Sequence, residues 1–143
     1  MRATLAALLA AASWTLAAGA AHAADPSGQL TYEQIIDTAG ATNGAARTCG
    51  ASAPDLAQHE ATWRNNLQRF AQEYGYDFKV FDAAFRQGQS KGKAMMEDMR
   101  RGNVDGCAGV LGGFQRERAI GYSEMKQAIA EVTDGLPEGK AGN

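Results

Sequence analysis

Between residues 78 and 99, Phe78, Phe81, Phe85, Gly88, Gly92, Met95 and Met99 recur at alternating steps of three and four. That repeat places every member on one face of an α-helix, a seam that meets one partner surface along its whole length. Gly88 and Gly92 fall on the seam itself, although glycine costs a helix about 1 kcal/mol relative to alanine. Glycine there is worth its cost only where another backbone comes too close for a Cβ. The occupant is a neighbouring helix of the same chain or the surface of a partner, so these residues form a packing face or a partner groove. The alternative use of the glycines is a phosphate-binding loop, because the stretch RQGQSKGKAMM sets Lys93 directly after Gly92. Such a loop requires four residues between its glycines, then Lys and Ser or Thr, and a strand in front. Here three residues separate the glycines, Ala94 follows Lys93, and helical periodicity precedes them. Nucleotide binding is therefore excluded, and packing explains the glycines.

The same periodicity runs through most of the chain, and strand alternation is nearly absent. Thr31 and Gln34 form a capping box for a helix over Tyr32–Cys49, preceded by a loose lead-in over 24–30. Ser52 caps a second helix, with Pro54 in its first turn and Leu56, Trp63, Leu67, Phe70 and Tyr74 as its apolar stripe. Gly75 ends it and Asp77 opens the third, the helix of the glycine seam. Arg100 and Arg101 complement the dipole at its C-terminus. Asn103 or Asp105 opens a fourth helix with Cys107, Val110, Leu111 and Phe114 on one face. Gly106, Gly109, Gly112 and Gly113 weaken it, so it depends on tertiary support. A fifth helix over Ser123–Thr133 has Met125, Ala128, Ile129 and Val132 as its apolar face. Asp134-Gly135-Leu136-Pro137 stops it.

The N-terminus places Arg2 before an apolar run from Ala3 to Ala18, closed by Ala21-His22-Ala23. This is the pattern of a secretory signal peptide, with cleavage expected after Ala23 and a periplasmic or secreted mature chain. The alanine-rich run and its small-residue cleavage site set it apart from a membrane anchor, and no later segment is suited to span a bilayer. No cysteine stands at the cleavage point, so a lipid-anchored form is not indicated. The expected organisation is a signal peptide over 1–23, a lead-in over 24–30, one helical domain over 31–135 and a disordered tail over 136–143. The formal net charge of −2 is dispersed along the chain, without the basic footprint that nucleic acid demands. Cys49 and Cys107 are the two cysteines. An even pair in an exported chain reads as one disulfide, with free buried thiols as the alternative. The fold class is thus all-α, a small bundle of four to five helices stapled by one disulfide.

No chemistry-bearing constellation accompanies this frame. Beyond the leader, His59 is the single histidine, and no cysteine or carboxylate cluster stands at ligand spacing around it. It reads as a structural or solvated residue beside Glu60 on the second helix. The serines Ser52, Ser90 and Ser123 lie at caps or on a polar face, and Glu97 and Asp98 point to different sides of their helix. No enzyme activity, cofactor or metal is expected.

The order of features carries a resemblance. A leader precedes a helix ending in Ala45-Ala46-Arg47-Thr48-Cys49, then a link with Pro54-Asp55-Leu56, a second helix ending in Gly75-Tyr76, a third, and Asn103-Val104-Asp105-Gly106-Cys107 before the fourth. From Thr31 to Phe114 this layout resembles the disulfide-stapled pilotins of type II secretion systems. Those are small four-helix proteins, typically lipoproteins, that bind and escort an outer-membrane secretin. The resemblance carries over only the cysteine pair, and this chain departs from it in having no lipid-bearing cysteine. The residues by themselves point to a non-enzymatic adaptor or chaperone for another envelope protein, since glycine and methionine seams suit an amphipathic helix. Two further readings are a periplasmic inhibitor or immunity protein against a toxin or cell-wall hydrolase, and an acid-stress chaperone.

Overall fold

The computed structural model describes residues 25–134, which form five α-helices joined by short links, with no strand among them. They are α1 (Pro26–Thr48), α2 (Ala53–Tyr74), α3 (Phe81–Arg101), α4 (Cys107–Glu117) and α5 (Tyr122–Asp134), with a 3-10 turn at Phe78–Val80 leading into α3. The architecture is the all-α bundle expected. The expected signal peptide and C-terminal tail lie outside the described residues.

The start of α1 differs from expectation. Residues 26–30 are helical rather than a loose lead-in. Asp25 caps the helix, its Oδ1 accepting from the Gly28 N–H at 2.8 Å, and Pro26 occupies the first turn. Proline is preorganised for that position and has no N–H to leave unpaired. Thr31, the expected cap, sits one turn inside and donates its hydroxyl to the Ser27 carbonyl at 3.0 Å. The second helix follows expectation in its ends and in most of its stripe, although Tyr74, at the last position of that stripe, is exposed. Ser52 Oγ accepts from the Asp55 N–H, and Gly75 closes the helix at φ 77°, a left-handed conformation that suits glycine.

The α1–α3 contact organises the rest. A Cβ on Gly88 would stand 1.9 Å from the Asp37 carbonyl oxygen, and one on Gly92 would stand 2.0 Å from that of Ala41. The relation is reciprocal. A Cβ on Gly40 would meet the Phe85 carbonyl oxygen at 2.1 Å, and one on Gly44 the Gln89 carbonyl oxygen at 2.1 Å. Each helix thus brings two glycines four residues apart, and the two backbones lie directly against each other. Either side of this contact, Tyr32, Ile36 and Ala39 of α1 pack with Phe81 and Phe85 of α3 and with Trp63, Leu67 and Phe70 of α2. Tyr32 donates its hydroxyl to the Leu67 carbonyl at 2.9 Å, and burial pushes its phenol pKa up.

The seam bends away from the heptad reading at both ends. Phe78 is only half-buried, in the 3-10 turn. Met95 is 44% exposed, and Met96, 4% exposed, takes the core position instead. A straight α-helix turns about 20° per heptad relative to a strict seven-residue repeat. Over the length of the seam that amounts to about 60°, more than half of the roughly 100° between neighbouring residues, so Met96 comes to face the core as readily as Met95. Met99 is half-buried near the start of α4, where a Cβ on Gly106 would meet its sulfur at 2.8 Å.

The α4 helix forms despite its glycines. Cys107 is bonded to Cys49 across a separation of 58 residues, and Asp105 accepts from the Cys107 N–H at 3.1 Å. Phe114, fully buried, packs with Ala46 and Leu56 in a second small core. The last helix is attached through side chains. Met125 enters the main core, Lys126 and Tyr122 both bond Glu73, and Arg69 lies 4.0 Å over the Tyr122 ring. The Lys126 bond, then that from Tyr122, holds the Glu73 carboxyl below its ordinary range. Of the apolar face expected on α5, only Met125 is fully buried. Ala128 is exposed, Ile129 is half-buried, and Val132 is 68% exposed. The helix runs past the core edge, so its C-terminal half has little to cover it.

The same substitution therefore has opposite signs at two glycines. Gly88→Ala drives a methyl into backbone and is expected to destabilise by about 1–3 kcal/mol or more. Gly109→Ala meets nothing within 4 Å and is expected to stabilise by up to about 1 kcal/mol. Urea unfolding of the two variants measures both. Reduction of Cys49–Cys107 is expected to remove about 4 kcal/mol, read from the same curves with and without dithiothreitol.

Candidate functional site

His59 is fully buried, not solvated. Leu56, His59, Trp63, Leu67 and Phe70 fall at steps of three and four, so the histidine lies on the apolar stripe of α2 and turns inward with it. A buried imidazole needs partners for both nitrogens. Asn43 Nδ2 lies 3.1 Å from His59 Nδ1 and also donates to the Leu56 carbonyl at 3.1 Å. Gln89 Nε2 donates to Asn43 Oδ1 at 2.9 Å, which fixes the Asn43 amide with its NH₂ toward the ring. Nδ1 is then the acceptor, and Nε2 carries the hydrogen toward Glu117 Oε2 at 2.9 Å. One histidine ties α2 to α1 and α4, and through Asn43 to α3. Both ring nitrogens are occupied within the protein, so the group acts as a polar staple.

Two grooves adjoin this staple and share Thr38 and Glu117. The first runs between α1 and α4 and encloses about 380 Å³. It is lined by Ala41, Ala45, Val110, Gly113, the exposed Gly109 and the exposed Met95. Whereas Gly88 and Gly92 are filled by backbone, Gly109 has nothing within 4 Å and Gly113 only the end of Arg116 at 3.9 Å. The second is a cleft of about 260 Å³ between α1, α2 and α5, lined by Ile35, Ala39, Trp63, Met125, Ile129 and Val132.

The structure thus divides the sequence-defined seam. Phe81, Phe85, Gly88 and Gly92 face α1 and are an internal packing surface. Met95 leaves the seam and joins the α1/α4 groove, while Phe78 and Met99 are half-buried at the two ends of the seam. Cys49 and Cys107 are joined. Sequence reasoning missed the Asn43–His59–Glu117 group, because its members are 16 and 58 residues apart. The one available signal was the position of His59 on the apolar stripe. Among the described residues there is no cluster of His, Cys, Asp and Glu able to hold a metal ion, and no helix long and apolar enough to cross a membrane. No protein-family model, curated protein or solved structure matches the chain.

Glu117 provides the test of the staple. Glu117→Leu leaves the buried Nε2–H without its acceptor and is expected to destabilise by about 1–3 kcal/mol. Glu117→Gln retains a carbonyl acceptor and is expected to lose less than half as much. Guanidinium unfolding of the two variants gives the ratio.

Proposed function

We propose that this protein is an exported helical adaptor, its leader cleaved after Ala23, that holds an amphipathic helix of another envelope protein in the groove between α1 and α4. The observation that carries the reading is the unfilled glycine surface of α4. Each glycine there costs the helix about 1 kcal/mol relative to alanine. In α1 and α3 that cost is offset by backbone contact, and at Gly109 no neighbour offsets it. A helix laid along Ala41, Gly109 and Gly113 would meet only small side chains. Met95 beside it supplies an adaptable apolar contact. The disulfide at the start of α4 supports a helix of low intrinsic stability in the position where the groove needs it. The layout resemblance to pilotins, which escort a secretin, is consistent with a helix-holding role.

Filling the groove tests the proposal. Gly109→Leu is expected to fold at least as stably as the native chain and to lose at least ten-fold in capture of the partner recovered by crosslinking from the host envelope. Val132→Asp, on the other cleft, is expected to leave capture unchanged. Undiminished capture by Gly109→Leu would sink the reading. If the groove-dependent partner is a single hydrolase, the adaptor is an inhibitor. A scatter of unrelated proteins that grows at low pH would mark a stress chaperone instead.

A further inference from the structure

The glycine contact between α1 and α3 also holds a reactive pair. Asn43 is the one asparagine of the chain that is followed by glycine. Asparagine is thermolabile because the next backbone nitrogen can attack its side-chain amide, and glycine, with no side chain, hinders that attack least. The Gly44 nitrogen bonds to Asn43 Cγ, the side-chain nitrogen leaves as ammonia with the Gly44 amide proton, and a five-membered imide closes. Water then opens the ring. Addition at Cγ gives aspartate, and addition at the main-chain carbonyl gives isoaspartate, whose backbone runs through Cβ. The net change converts an amide and water to a carboxylate and ammonium.

The fold opposes each step. Both residues lie inside α1, where helix bonding engages the Gly44 N–H with the carbonyl four residues back. Asn43 is 1% exposed, and its side chain is held against Gln89, Leu56 and His59. Neither residue can be exchanged freely for a less reactive one. Asn43 completes the histidine staple, and a Cβ on Gly44 would stand 2.1 Å from the Gln89 carbonyl oxygen. We infer that Asn43-Gly44 is a deamidation site that the native fold keeps closed and unfolding opens, so that time spent unfolded is recorded covalently. The change is irreversible because neither product fits. Aspartate sets an oxygen where Nδ2 stood, 3.1 Å from both the Leu56 carbonyl oxygen and His59 Nδ1, so acceptors face acceptors in a buried site. A proton on Nδ1 would relieve one of these contacts and leave the other. Isoaspartate adds a backbone carbon to α1 beside the point where Gly44 touches α3. Unfolding then becomes irreversible through chemistry.

The test ages the protein, disulfide intact, at mildly alkaline pH in buffer and in guanidinium chloride above its unfolding transition. A synthetic peptide of residues 38–47 in the same two solvents gives the unprotected rate, and peptide mass mapping locates the products. The unfolded chain is expected to deamidate at Asn43 at the rate of the peptide. The native chain is expected to do so at least about 100-fold more slowly, since global opening is rare at the stability of ordinary domains. When the aged unfolded sample is diluted, the fraction that refolds is expected to equal the fraction retaining Asn43. A sample aged in the same denaturant at mildly acidic pH, where the imide closes slowly, is expected to refold fully. Asn43→Asp, made directly, is expected to unfold at a lower denaturant concentration or to fail to fold. Native deamidation less than about 100-fold slower than that of the peptide overturns the inference. Refolding of the deamidated chain with an unchanged midpoint, or equal loss of refolding in the acid- and alkali-aged samples, overturns it as well.

Discussion

Two helices lie backbone against backbone because four glycines leave them nothing to keep them apart. Gly40 and Gly44 of α1 meet the carbonyl line of α3, and Gly88 and Gly92 of α3 meet that of α1. Close approach brings Cα–H groups toward carbonyl oxygens and increases dispersion contact along the whole interface. Everything else is arranged around that pair. The aromatic core of Tyr32, Trp63, Phe70, Phe81 and Phe85 fills the wedge where α2 leans on both helices. The histidine staple and the disulfide then fasten α4 to the same scaffold.

The molecule is consequently unequal in its parts. The α1–α3 pair has large buried side chains beside it and no room for adjustment. The outer helices are held by fewer and more local features: α4 by one covalent bond, Phe114 and Glu117, and α5 by Met125 and the charged and aromatic contacts around Glu73. Both grooves lie where these outer helices meet α1. A rigid pair flanked by lightly held helices is a suitable frame for binding, because the walls of a site can move without disturbing the core.

Much of this was legible in the sequence, and the failures have physical causes. Ser52, Gly75 and the α2 stripe could be read because caps and periodicity are local. The role of Gly88 and Gly92 could be read as packing because a seam implies a neighbour. Which neighbour could not, since Gly40 and Gly44 appear in the sequence only as weaknesses of α1. Their meaning depends on a contact more than forty residues away. Met95 was misplaced because a heptad pattern does not drift as a straight helix of about 3.6 residues per turn does. Thr31 and Gln34 match a capping box, and the Asp25-Pro26 start, an equally valid helix signal, is overlooked in a stretch taken as lead-in. His59 carried its burial in its spacing, but its partners come from α1 and α4 and are invisible to any local reading.

The central claim is that the glycine contact of α1 and α3 is the last part of the fold to open. Native-state hydrogen exchange under low denaturant measures this directly. Amides from Ile36 to Ala46 and from Ala84 to Met96 are expected to exchange together, at the free energy of global unfolding, while α5 exchanges through a smaller and separate opening. If the α1 and α3 amides exchange at different free energies, or if those of α4 or α5 outlast them, the glycine contact is not what the structure rests on.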